Sequence, residues 1–291
     1  MSRYFGNRVN PDRFAPSQLK FYAVLIVLAV FLVLPIVFIF SQALKPINEL
    51  FLFPPEFLVQ HPTMENFVNL FKQTSVTAIP MSRYLFNSII VTGLVVVLTS
   101  LLSSMAGYAL SKMEFKLKRL IFEANIIALM FVPAAVGIPM YFIMVKLGLT
   151  NNILGNVIPL LAVPVNVFLV KQFVDQVPDA LVEAAFIDGA SHFQVFQKII
   201  LPMIRPAMAT VAILAFQSAW NNTDTSTLYI NNESLKTFAY YMGTLASNVG
   251  NQVAGQGIAA AAALIMFLPN LLIFIFMQRR VIDTMAHSGL K

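Results

Sequence analysis

The sequence contains no cysteine and little charge. Without cysteine there is no disulfide, thiolate metal site, iron–sulfur cluster or cysteine nucleophile, and the redox compartment leaves no mark. Charged residues make up 11% of the 291 positions, against about 25% in soluble domains. So few charges cannot keep the surface of a globule this size solvated. Histidine is scarce too. His61, His192 and His287 lie far apart, none falls in an HExxH pattern, and they read as solvated loop residues. Neither a GxSxG elbow nor a GxxxxGK[ST] phosphate loop occurs. The expectation is therefore no bond chemistry, no metal and no cofactor held by this chain.

What is abundant is apolar. The AVILMFWYC set supplies 58% of the chain, where soluble proteins reach about 45–50% even with glycine counted. Six runs approach the roughly 20 helical residues that cross a ~30 Å hydrocarbon layer. They extend from about Phe21 to Ala43, Tyr84 to Leu110, Leu120 to Met144, Ile153 to Val170, Met203 to Trp220 and Ile258 to Met277. The first exceeds the roughly 7–15 apolar residues of a secretory signal and is read as a span. The fold expected is an all-α integral membrane protein with six transmembrane helices.

A net charge of +6 suggests nucleic acid in a soluble protein. Here the bases sort by loop instead. Fourteen of the 19 Lys and Arg lie before the first span, after the second, after the fourth or at the end, and the alternate loops hold only Lys45, Lys72, Arg83, Lys146 and Lys236. That asymmetry places both termini in the cytoplasm. The basic clusters, including Lys112, Lys116, Lys118 and Arg119, are read as topology signals, with no nucleic-acid partner. The chain then divides into a cytoplasmic segment 1–20, a six-span body 21–277 and a cytoplasmic tail 278–291. Outside, Thr63 is placed to cap a short helix with Glu65 in its first turn.

The spans are nearly empty of charge. Glu123, near the cytoplasmic end of the third, is the one acid within them and reads as snorkelling or capping. An ion-coupled carrier loses support, although it stays as the alternative. Neutral polar residues do recur: Asn87, Ser88, Thr92, Ser103 and Tyr108 in the second span, Asn125 in the third, Asn166 in the fourth, Gln217, Trp220 and Asn221 at the end of the fifth, and Asn270 in the sixth. Such groups suit a path for a neutral, polyhydroxylated solute. For any single one, helix-to-helix contact outweighs the path, as the Ser103-xxx-Gly107 spacing suggests.

The stretch of about 176–204 reads as two helices. Asp179 opens the first as N-cap, Gly189 ends it in a left-handed turn, and Ser191-His192-Phe193-Gln194 matches a capping box for the second. Phe193, Phe196, Ile199 and Ile200 form an apolar stripe up to Leu201-Pro202. Ala184, Ala185 and Ala190 keep the surface small, and Glu183 and Asp188 offer orienting charges. From Lys171 to Arg205 there are three bases against four acids, Asp175, Asp179, Glu183 and Asp188, so the hairpin suits a protein groove better than anionic headgroups.

Glu183-Ala184-Ala185-xx-Asp188-Gly189-Ala190, followed by Ile199-x-Leu201-Pro202, resembles the EAA loop of permease subunits in binding-protein-dependent ABC importers. Asn87-Ser88, the run Ala106-Gly107-Tyr108-Ala109-Leu110-Ser111-Lys112, Ile138-Pro139, Leu147-Gly148-Leu149 and Trp220-Asn221 are similar to the sugar-importing branch, which includes the smaller permease of the maltose importer. Two stretches depart from that pattern: Asn222 to Thr227, polar where the family continues apolar, and the tail from Met285 to Lys291. The resemblance implies a second homologous permease as partner, two ATPase subunits carrying ATP and Mg, and an extracytoplasmic solute-binding protein. It implies a disaccharide or oligosaccharide as cargo. On this likeness the ATPase docks on Glu183, Ala184, Ala185, Asp188, Gly189, Ala190, Ser191, Phe196, Ile199, Leu201 and Pro202.

Overall fold

A computed structural model describes residues 19–72, 79–248 and 253–288. Every regular element among those residues is a helix, with no strand. The segment before Leu19, with Arg3, Arg8 and Arg13, and the last residues of the tail lie outside the described part.

α1 (Leu19–Leu44) is apolar on all sides and leaves most of its Leu, Val and Phe side chains exposed; only Ser41 and Ala43 are buried. A helix of that kind is stable only against lipid. α2 (Ile47–Leu50) and α3 (Glu65–Lys72) follow, and the Glu65 amide donates to Thr63 Oγ1 at 3.2 Å, as the sequence predicts. α4 (Met81–Lys112) is the long central helix. One face of it buries Val91, Val95, Thr99, Ser103 and Gly107 against later helices, while the other stays apolar and exposed.

The third expected span is not continuous. α5 (Lys118–Ala128) stops at a turn, and α6 (Pro133–Lys146) restarts with Pro133 in its first turn. Val132 is extended (φ −75, ψ 134), the conformation a following proline ring imposes. The fourth is also broken. α7 (Leu154–Val157) runs through a tight turn to Leu160, and α8 (Pro164–Asp175) leaves at 49°. Pro164 cannot donate to the preceding turn, so its missing N–H costs least at a helix start.

α9 (Asp179–Ile187) and α10 (His192–Val195) form the hairpin; α10 widens through a π turn, Leu201 N donating to Phe196 O, into α11 (Leu201–Met203). The widened turn gives the Pro202 ring room where a regular helix would bring it against a carbonyl. α12 (Arg205–Trp220) then departs at 82°, so the fifth apolar run is a 16-residue helix joined to the hairpin by a sharp corner at Ile204. α13 (Asp224–Tyr229) and α14 (Phe238–Asn248) cross the end away from the hairpin, and α15 (Val253–Ser288) returns along α1 and α12.

Among the described residues three helices are thus long and apolar enough to cross a bilayer unbroken, and the two bent pairs, each taken as one span, bring the candidates to five. Two apolar clusters hold the ends. One joins Tyr108, Val170, Val174, Val177, Val182, Val195, Phe196, Ile200 and Ile204 beneath the hairpin; the other joins Leu70, Met81, Tyr84, Phe238, Tyr241 and Leu245 at the far end.

Candidate functional site

The hairpin departs in one local detail from its sequence reading. Its first helix is capped by Pro178, with Asp179 as the first helical residue, and no side chain caps that end. The Asp179 carboxylate is taken up instead by Lys112 Nζ at 2.5 Å. At the turn, Gly189 has φ +82, a left-handed conformation in which a Cβ is strained. The capping box is formed: Ser191 N donates to Gln194 Oε1 at 2.8 Å and Gln194 N to Ser191 Oγ at 3.3 Å. Sequence alone therefore fixes the bend, because both devices act within four residues.

The two faces of the hairpin differ. Val182, Val195, Phe196 and Ile200 point inward and are buried, each aliphatic one contributing about 1.5–3 kcal/mol. Ala185, Ala190, Ile199 and Leu201 pack half-buried beside them. Outward, Ile187 is 86% and Phe193 66% exposed, with Ala184, Glu183, Asp188 and Ser191 around them. Phe193 thus leaves the expected stripe and joins the exposed tip, while Phe196 and Ile200 are buried. Glu183 and Asp188 enter no ion pair among the described residues. A small-residue knob with bare apolar corners and two free carboxylates is a surface shaped for a protein groove. His192 is exposed but also partnered: Tyr108 Oη lies 3.1 Å from its Nδ1, and the Phe186 ring meets it edge-on at 4.8 Å.

The neutral polar residues of the spans separate into two sets. Asn87 Nδ2 donates to Ser234 O (2.8 Å) and Lys236 O (2.9 Å), and Ser88 Oγ accepts from Phe238 N at 2.7 Å. Asn125 Nδ2 donates to Pro164 O at 3.2 Å, across the break in the fourth span, and Trp220 Nε1 to Met266 O at 3.0 Å. These side chains fasten one helix to the next. Gln217, Asn221 and Asn270 lie more openly, the last two facing each other as a reciprocal amide pair at 3.1 and 3.4 Å. Beside them a groove of about 660 Å³ runs between α4, α12 and α15, lined by Thr92, Gly93, Phe216, Trp220, Ile265 and Pro269 among others. Thr92 Oγ1 is buried without a partner among the described residues, and so are both amide atoms of Asn166.

Charge is buried where composition gave no hint of it. At the far end Lys45 Nζ donates to Glu56 O, and Glu49 accepts from Gln60 N (3.1 Å) and His61 N (2.7 Å). Lys236 Nζ sits 2.5 Å from Glu233 Oε1 and donates to Tyr240 Oη at 2.9 Å. Burial alone would lower that ammonium; the hydrogen bonds and charge of Glu233 and Tyr240 hold it above its ordinary range. Glu123 pairs with Arg119 at 2.6 Å on the exposed side of α5. Among the described residues no group of His, Asp and Glu could hold a metal.

An all-helical body whose long apolar helices leave their outer faces exposed is that of an integral membrane protein. Residues 99–281 match the family described as the binding-protein-dependent transport system inner membrane component, and the chain belongs to it. Among its relatives, the arabinooligosaccharides transport system permease protein AraQ of Halalkalibacterium halodurans is 29% identical over 89% of this chain and 91% of its own. The probable ABC transporter permease protein YurM of Bacillus subtilis is 32% identical over 79% of this chain and 74% of its own. The diacetylchitobiose uptake system permease protein NgcG of Streptomyces coelicolor is 28% identical over 92% and 87%. A chain in the crystal structure of a bacterial ABC transporter that imports the acidic polysaccharide alginate superposes with a TM-score of 0.79 at 21% identity, covering 93% of this chain and 99% of that one. That likeness establishes the fold.

Proposed function

We propose that the chain is a permease subunit of an ABC importer that carries a disaccharide or oligosaccharide into the cytoplasm. The observation that carries the reading is the hairpin. Glu183 to Pro202 protrudes with Ile187, Phe193, Glu183 and Asp188 unpaired at its tip, in a member of a family whose transport depends on a binding protein. Relatives named for arabinooligosaccharides and diacetylchitobiose support the carbohydrate class.

On this reading six membrane crossings leave both termini in the cytoplasm, the third, fourth and fifth being made from helices that break at Pro133, Pro164 and Arg205-Pro206. A second homologous permease covers the groove between α4, α12 and α15, and Gln217, Asn221 and Asn270 face the path at its mouth. Two ATPase subunits, which bring ATP and Mg, receive the hairpin. An extracytoplasmic binding protein meets the far end, where α13 and α14 lie. Closing of the ATPases displaces the hairpin and switches the body between its two accessible states.

The test is uptake into proteoliposomes. The four-subunit complex with a binding protein and ATP inside should accumulate labelled oligosaccharide. The chain alone under a proton or sodium gradient should not. Uptake by the isolated chain driven by an ion gradient would overturn the reading in favour of a secondary carrier.

A further inference from the structure

The last turn of α4 carries Tyr108, Ser111 and Lys112, which the spacing i, i+3, i+4 places on one side of the helix. Each is bonded to a different part of the hairpin's base. Tyr108 Oη meets His192 Nδ1 at 3.1 Å, and its ring lies 5.7 Å from that of Phe196, so it reaches the second hairpin helix. Ser111 Oγ donates to Asp175 Oδ1 at 2.6 Å, at the end of α8, and Lys171 Nζ braces the other oxygen at 2.7 Å. Lys112 Nζ donates to Val177 O at 2.6 Å and to Asp179 Oδ1 at 2.5 Å, at the start of the first hairpin helix. The Lys112 side chain is 6% exposed, an unusual burial for a lysine at the edge of a membrane protein. Close packing continues one turn earlier, where a Cβ on Gly107 would fall 2.5 Å from Val170 Cγ1.

We infer that Tyr108, Ser111 and Lys112 are positioning residues for energy coupling, Lys112 foremost: they clamp both hairpin helices to α4, so that displacement of the hairpin becomes displacement of the span. The inference rests on the proposed docking of the hairpin to a motor. Without these bonds the hairpin would be held by its connections at 176–178 and at Ile204 and by the apolar cluster beneath it; hydrophobic contact is non-directional, so the hairpin could pivot under load and hydrolysis would proceed without moving the path. Lys112 is therefore more than a topology signal. It supplies a point charge with several donors, which fits one carbonyl and one carboxylate at once.

The experiment uses the assembled complex. Lys112→Met keeps the length and apolar stem while removing the donors, and Tyr108→Phe removes one oxygen while keeping the ring on Phe196. Both variants should retain the ATPase subunits on purification, since the exposed tip is untouched. Sugar transported per ATP hydrolysed should fall about tenfold for Lys112→Met and about threefold for Tyr108→Phe. Because the chain has no cysteine, spin labels at Lys198→Cys, exposed on the hairpin away from its tip, and at Leu117→Cys report one distance, whose distribution should broaden in Lys112→Met. A coupling ratio within twofold of wild type in both variants, or a distance distribution of unchanged width, overturns the inference. So does loss of the ATPase subunits in both, which would make the clamp part of docking. If the wild-type complex itself moves no sugar, the functional reading has failed; if only the variants match wild type, the clamp has.

Discussion

The contact between α4 and α8 gives a prediction whose size follows from the structure. A Cβ built on Gly107 falls 2.5 Å from Val170 Cγ1, 3.0 Å from Val170 Cβ and 3.1 Å from Lys171 N. Val170 is fully buried, so its methyl cannot swing away, and the third neighbour is backbone. Gly107→Ala must push the helices apart. Overpacking costs about 1–3 kcal/mol, and three neighbours at 3.1 Å or less put this site at the upper end, about 2–3 kcal/mol. The change also gains about 1 kcal/mol of helix propensity. The net loss expected is about 1–2 kcal/mol, or about 5 °C in melting temperature for a chain of this size. Val170→Ala removes the methyl that collides, so the double variant should be more stable than the sum of the singles by at least about 1 kcal/mol.

The assay is built into the chain. Trp220 is the single tryptophan. It is buried, and its indole donates to Met266 O at 3.0 Å, so exposure on unfolding shifts its emission. Thermal or denaturant unfolding in detergent, followed by that emission for wild type, both singles and the double, gives the cycle. A Gly107→Ala protein as stable as wild type, or a purely additive double, refutes the close approach.

Further expectations concern other links. Gly189→Val forces a β-branched residue to φ +82 where nothing crowds the Cβ, so backbone strain of about 1–3 kcal/mol is the whole effect; ATPase co-purification should fall with Val and largely survive with Asn, and equal behaviour of the two would contradict the turn's role. Asn87→Ala leaves the carbonyls of Ser234 and Lys236 without their donor and should destabilise by about 1–3 kcal/mol in the absence of any sugar; an unchanged melting temperature with altered sugar affinity would instead make Asn87 part of the path. Lys236 has its folded pKa raised above 10.5, so the stabilisation linked to that shift is fully present below 10.5 and disappears as pH climbs through the folded value. The difference in melting temperature between wild type and Lys236→Met should be flat across neutral pH and shrink only in strong alkali; a change near neutrality would point to another group.

The parts of this protein that were legible in the sequence share a short range. Gly189, and Ser191 with Gln194, act within four residues, and the bend between them is where pattern reading puts it. The helix breaks were not legible. Prolines are seven in or beside the spans by sequence, yet Pro35 and Pro269 sit inside unbroken helices while Pro133, Pro164 and Pro206 begin new ones. The difference lies in whether neighbouring helices re-satisfy the freed carbonyl, which no local pattern records. Polar type was legible but its use was not: Asn87 and Ser88 spend their hydrogen bonds on a segment about 150 positions away, and Lys112 on one 65 positions away.

That contrast explains why the hairpin carries two kinds of surface. On the proposed docking, its outward face must be able to let go of a partner or re-engage it, and it offers apolar corners and carboxylates unpaired among the described residues, whose worth appears only when another protein covers them. Its inward face must not let go, and there the chain concentrates buried aliphatic side chains, a buried ammonium on two acceptors and an imidazole against a phenol. Charge is scarce in this sequence because lipid penalises it. Buried charges with fixed partners also occur at the far end, at Lys45, Glu49 and Lys236; on the proposed coupling, only Lys112 lies where movement has to be passed on. A soluble protein rich in surface ion pairs would hide such a signal; here Lys112 stands out once its two acceptors are seen.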